Sequence, residues 1–173
     1  MNCECDFCKW TKIISAGVII LFLIVIVIIM ATNPSQPKNI LTAIAEPGDN
    51  TDIGIATINF SKNEITEGTA ITHDPGSNTI NINETGFYRI SYQLFGRLER
   101  TGIFNFNAII LVNDAGVTST QNESPVLTDN VNNRMTLTSS FILKLNAGDT
   151  LKLQGFSLEE IIYDNVRIDI NKL

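Results

Sequence analysis

The chain reads as an all-β domain, a sandwich or barrel of short antiparallel strands, carried behind one membrane-spanning helix. Three observations predict this. Apolar and polar residues alternate through most of the sequence after position 40, as in Tyr88-Arg89-Ile90-Ser91-Tyr92-Gln93-Leu94. Such alternation places successive side chains on opposite faces of a half-buried strand. Turn-forming clusters separate the runs: Glu46-Pro-Gly-Asp-Asn, Asp74-Pro-Gly-Ser-Asn, Asn113-Asp-Ala-Gly and Asn146-Ala-Gly-Asp. Ahead of all of them, Ile13 to Thr32 runs 20 residues without a charge.

At ~1.5 Å per residue that run matches the ~30 Å hydrocarbon core of a bilayer. Lipid offers no partner to backbone N–H and C=O groups, so residues 13–32 are expected to be helical and to take the bilayer as their partner. A cleaved signal peptide has an apolar stretch of only ~7–15 residues and a small-x-small site. Here the run is longer, and Ile29 with Ala31 makes a poor cleavage pair, so an uncleaved anchor is expected. Lys9 and Lys12 precede the run and only Lys38 follows closely. The positive-inside rule then makes residues 1–12 a short cytoplasmic tail and places the C-terminal domain outside the cytoplasm.

All three cysteines, Cys3, Cys5 and Cys8, sit in that tail. Three thiolates per chain suit zinc or an iron–sulfur cluster where several tails meet, membrane-adjacent thiols suit acylation, and free thiols suit a flexible tail. One tail lacks the fourth ligand of a tetrahedral site. Residues 33–39 form a polar linker holding Pro34 and Pro37, and fully extended it reaches only about 25 Å, close to the bilayer.

Residues 40–173 suffice for one domain. Beyond Ala31 there are 53 apolar residues among 142, an ordinary soluble proportion, and no cysteine to make a disulfide. The same stretch carries 10 Lys/Arg against 16 Asp/Glu, a net of −6, which disfavours nucleic acid as a partner. Strand patterning recurs at Ile80 to Ile82, at Met135, Leu137, Phe141, Leu143 and Leu145, at Leu151 and Leu153, and at Val166, Ile168 and Ile170. Leu158 to Tyr163 is the one stretch that suits a helical turn.

Two stretches carry a family resemblance. Gly86-Phe-Tyr-Arg-Ile-Ser-Tyr-Gln-Leu resembles the Gly-x-Tyr-x-aromatic/aliphatic-x-Tyr strand of the complement C1q globular head. Leu143-Lys-Leu-Asn-Ala-Gly-Asp-Thr-Leu-Lys-Leu is similar to a later hairpin of the same domains, and Val166 to Leu173 ends the chain on a strand as they do. The likeness is to the C1q and tumour-necrosis-factor superfamily, in its microbial branch with the head domains of collagen-like spore-surface glycoproteins. It implies a ten-stranded antiparallel jelly-roll sandwich over residues 40–173, a homotrimer, and a surface role in recognising an unknown protein or carbohydrate ligand. A structural coat component without a soluble ligand is the alternative. The chain departs from the C1q pattern in having no collagen stalk, which leaves complement-like activity without support.

Catalysis has little to work with. His73 is the only histidine and lies in Thr72-His-Asp-Pro-Gly, where a structural or solvent-facing place is expected, and no Gly-x-Ser-x-Gly elbow occurs. Neither an enzyme nor a cofactor is expected. Asn59-Phe-Ser, Asn83-Glu-Thr and Asn122-Glu-Ser match glycosylation acceptors. Tyr88, Tyr92, Phe104, Phe106, Phe141, Phe156 and Tyr163 are the candidate core or trimer-axis residues, because an obligate interface has the composition of a core. Binding loops are expected at 46–53, 97–103 and 113–133.

Overall fold

A computed structural model describes residues 18, 21–24, 38–48, 51–98, 102–128 and 133–173. The chain divides into two compact units, Met1–Pro37 and Lys38–Leu173. In the first, Val18 and Leu21 to Ile24 are helical with exposed side chains. Among the described residues no helix is long and apolar enough to cross a membrane. Most of the expected anchor 13–32, and all of Cys3, Cys5 and Cys8, lie outside the described residues.

The second unit is all β. Its described residues form β1 (Ile40–Ala45), β2 (Thr51–Thr57), β3 (Lys62–Glu67), β4 (Ile71–His73), β5 (Ile80–Ile82), β6 (Gly86–Leu98), β7 (Gly102–Val112), β8 (Ala115–Gly116), β9 (Asn122–Thr128), β10 (Asn133–Leu145) and β11 (Thr150–Lys172). That is eleven strands where the resemblance implies ten, the two-residue β8 included. Every pairing among them is antiparallel.

β11 is the element that organises the fold. Its C-terminal half, Ile161 to Lys172, pairs with β6, and Val166 to Asn171 pairs with β1, giving a sheet in the order β10-β6-β11-β1-β3. Its N-terminal half, Leu151 to Ser157, pairs with β7 and then with β2, and β9 continues from β7. A straight strand of 23 residues would reach about 75 Å, far beyond one domain face, so it has to bend. The bend is recorded as register irregularities between Ser157 and Ile161 and between Tyr163 and Asn165. The expected helical turn at 158–163 is therefore replaced by extended strand: both neighbouring strands offer hydrogen bonds on either side of the irregularity, and a helix would forfeit them.

The second irregularity, between Tyr163 and Asn165, resets the alternation. Leu151, Leu153, Ile161 and Tyr163 point inward at odd positions, whereas Val166, Ile168 and Ile170 do so at even ones. They meet Leu41, Ala43 and Ala45 of β1, Tyr88, Ile90, Tyr92 and Leu94 of β6, and Phe106, Ala108 and Ile110 of β7 in one continuous core. Gly155 is a required gap in it. A Cβ there would stand 2.1 Å from Tyr163 Oη and 3.2 Å from its Cζ, so the tyrosine crosses the strand only because the side chain is missing.

Turns fall where the sequence clusters place them. Asn113 and Asp114 both have positive φ (52° and 66°), the two-residue hairpin geometry that suits these side chains. At the 146–149 turn, Asp149 Oδ2 accepts from Asn146 N at 2.7 Å and Oδ1 from Asn113 Nδ2 at 2.9 Å, joining two loop tips. Those bonds, the Asn146 backbone one first, hold the Asp149 carboxyl below the usual aspartate value of 3.8. A folded-state pKa below the unfolded one adds stability above the unfolded value, and that stability disappears as pH falls through the folded value. Asp149→Asn should therefore be less stable than the parent at neutral pH. Acid titrations of the two followed by circular dichroism should converge only once the pH has fallen through the folded-state value, below 3.8; a gap that persists at the acid end would mean the charge is not what matters.

Candidate binding faces

The strand parity that builds the core also dictates what faces out. Of the candidate aromatics, Tyr88, Tyr92, Phe106 and Tyr163 are core, each at most 3% exposed. Phe141 packs partly buried against that core, its ring edge-on to Tyr92 at 6.1 Å. Phe156 faces the other way, outward from β11. Phe104 lies in β7, and its side chain is outside the described atoms.

The buried tyrosines are anchored by their hydroxyls. Tyr88 donates to the Glu84 carbonyl at 2.5 Å, and Lys172 closes over Glu84 through an ion pair. Tyr92 donates to the Thr120 carbonyl at 3.1 Å, on the 3₁₀ turn Thr118–Thr120, whose Thr120 Oγ1 in turn accepts from Ile110 N. Burial pushes both phenols above their usual pKa, slightly offset at Tyr88 by the Lys172 charge and at Tyr92 by Ser139.

His73 is a joint. Its Nδ1 lies 2.6 Å from Asn63 Oδ1, its Nε2 lies 3.0 Å from the Ser77 carbonyl, and the ring stands edge-on to Phe60. With 6% exposure and both nitrogens engaged, it ties β3, β4 and the 74–77 turn together. The carboxamides of Asn83 and Asn122 are likewise occupied, Nδ2 donating to Thr69 O and Thr138 O respectively.

Two outward faces remain. On the β10-β6-β11-β1-β3 sheet a shallow groove of about 460 Å³ is lined by polar residues, among them Ser91, Gln93, Thr138 and Ser140. It ends at Arg167, which grips Asp169 through Nε and Nη2 (both 2.9 Å) and Glu64 through Nη1 (3.0 Å), while Thr42 Oγ1 donates to Asp169 at 2.6 Å. The Asp169 hydrogen bonds raise the Arg167 pKa further. Around this polar strip sit the exposed apolar side chains of Ile65, Phe87, Phe95 and Ile142. Sequence reasoning misses all of them. Their signal is present, since Phe87 and Phe95 occupy the polar parity of β6, opposite Tyr88 and Leu94.

The second face is the outer side of β2, β11 and β7, where a cavity of about 310 Å³ contains Phe156 and Ile55. Of the expected binding loops, β2 begins at Thr51 and β9 at Asn122, and among the described residues of 113–133 Gln121 lines the cavity. Among the described residues no cluster of His, Cys, Asp or Glu is arranged to hold a metal ion.

Two antiparallel sheets sharing one bent strand, with the first strand beside the last, define this as a C1q/tumour-necrosis-factor-like jelly-roll domain. Among solved structures it is similar to murine APRIL at pH 5.0 (TM-score 0.60, 11% identity), with 79% of this chain and 99% of that one covered. It is also similar to murine APRIL at pH 8.5 (TM-score 0.54, 10% identity), covering 78% and 100%. At such identities the likeness is one of fold. The BclA C-terminal domain family matches residues 43–173, and the chain belongs to that family. No curated protein matches it.

Proposed function

We propose that this chain is a single-pass, membrane-anchored surface protein that displays a homotrimeric jelly roll for recognition. The exposed apolar set carries the reading. Ile65, Phe87, Phe95 and Ile142 are 41%, 57%, 36% and 53% exposed on one sheet face, and no disulfide compensates for that surface in the cysteine-free domain. Packing these faces around a threefold axis would remove them from water and leave the polar strip of Ser91, Gln93, Arg167 and Asp169 to set register. Membership in the BclA C-terminal domain family supports a place on a surface. The 20 uncharged residues from Ile13 to Thr32, with described helical residues among them, support the anchor.

Mass measurement tests it. Residues 38–173, which form a compact unit with their own core, should run as a trimer at micromolar concentration, and the full chain should sediment with membranes. Replacing Phe87 and Ile142 together by serine should shift the mass toward the monomer. A parent segment that is a stable monomer would overturn the trimer, and a full chain that stays in the supernatant would overturn the anchor.

A further inference from the structure

The cavity on the outer face of β2, β11 and β7 has a chemistry of its own. Strand register places Ile55, Phe156 and Asn107 in one row across the three strands, and Gln154 beside Ile109 in the next row. With ~4.8 Å between strands the row spans about 10 Å, the width of one six-membered ring with its substituents. Phe156, Ile55 and Ile109 supply apolar surface, while Gln121, Gln154 and Asn107 supply carboxamides, and no lining residue is charged. The Asn107 Oδ1 is buried with no hydrogen-bond partner among the described residues.

That combination selects among ligands. An ion would find no countercharge. A purely apolar ligand would strip water from three carboxamides and satisfy none of them. A ring with one C–H face and a rim of hydroxyls meets both requirements, because a carboxamide offers a donor and an acceptor side by side and an aromatic ring accepts C–H groups on its face. A volume of about 310 Å³ lies at the lower end of small-ligand sites and suits a single residue of a glycan. We infer that this cavity is a carbohydrate subsite for a neutral pyranose. Phe156 is its stacking platform, and Gln154, Gln121 and Asn107 read the hydroxyls. The assignment deepens the recognition role proposed above and rests on it for the display of this face.

The test uses the full chain in detergent and a panel of methyl pyranosides of neutral hexoses and 6-deoxyhexoses, with a methyl glucuronide for comparison. Ligand-observed saturation-transfer NMR reports binding. At least one neutral glycoside should bind with a Kd of roughly millimolar, and the glucuronide should bind no more tightly. Gln154→Ala and Phe156→Ala should each weaken binding about tenfold or more. Gln154→Ala, which removes no core side chain, serves as the folding-neutral variant. Failure of every neutral glycoside at about 20 mM, or binding indifferent to both substitutions, would overturn the subsite. So would a fall in oligomer mass with Phe156→Ala, since a second copy would then cover this face. A trimeric parent that binds no neutral glycoside sinks the subsite alone, whereas a monomeric parent sinks the display reading.

Discussion

Truncating Phe106 to alanine should cost the domain about 3–5 kcal/mol and lower its midpoint of thermal unfolding by about 10–20 °C. The ring is fully buried, 6.0 Å from that of Tyr163, and its residue pairs with Ser157 at the point where β11 leaves one sheet for the other. Strand backbones wall this corner. They are hydrogen-bonded in two directions and cannot collapse into the vacated space, so the cavity should persist with its full cost. Urea denaturation read by far-ultraviolet circular dichroism gives the measurement, with unchanged m-value as the check that the native state is otherwise intact. A loss below about 1 kcal/mol would mean that the corner repacks and that Phe106 is not what holds the bend.

Asn39→Ala should cost about 2–4 kcal/mol, although this is one polar residue ahead of the first strand. The side chain is only 8% exposed, and its Oδ1 accepts from both Thr69 N and Ala70 N at 3.1 Å. Its backbone carbonyl accepts from Lys172 N. One residue thus joins the entry to β1, the turn between β3 and β4, and the end of β11. Removing the carboxamide orphans two N–H groups, one of them buried, which is more costly than losing an ordinary hydrogen bond. Gly68→Ala makes an independent approach to the same contact. Gly68 has φ +78°, and a Cβ there would lie 2.1 Å from Asn39 Oδ1. If Asn39→Ala unfolds within about 0.5 kcal/mol of the parent, the turn is closed by other means and the expectation falls.

Asn39 also shows what alternation cannot reveal. Beside Lys38 and two prolines it reads as linker, because local composition is polar and its partners lie 30 and more positions away. Phe156 illustrates the converse. By type it groups with the core aromatics, yet its even position on β11 puts it outside, where Leu151 and Leu153 are in. Tyr163 groups with it and is buried at 3% exposure, because seven residues along the same strand is an odd step. The stretch from Leu158 to Tyr163 looks helical because Leu158, Ile161 and Ile162 stand at the i, i+3, i+4 spacing of a helix face.

By itself the sequence determined the class of the domain, its turns, and the strands with clear alternation, at 80–82, 88–94, 135–145, 151–153 and 166–170, with the face each of these buries. These follow from periodicity and from residues that favour positive φ, both of them local properties. The C1q/tumour-necrosis-factor resemblance was legible too, because its motifs are single strands and single hairpins. Only the tertiary structure decided which strands share a sheet, where β11 changes parity, and which outward residues share a sheet face with Phe87 or line the amide-lined cavity around Phe156. Those are matters of register between strands up to 131 positions apart, as Ile40 and Asn171 are. Register arises from the simultaneous packing of every inward side chain, a sum that no short window of the chain contains.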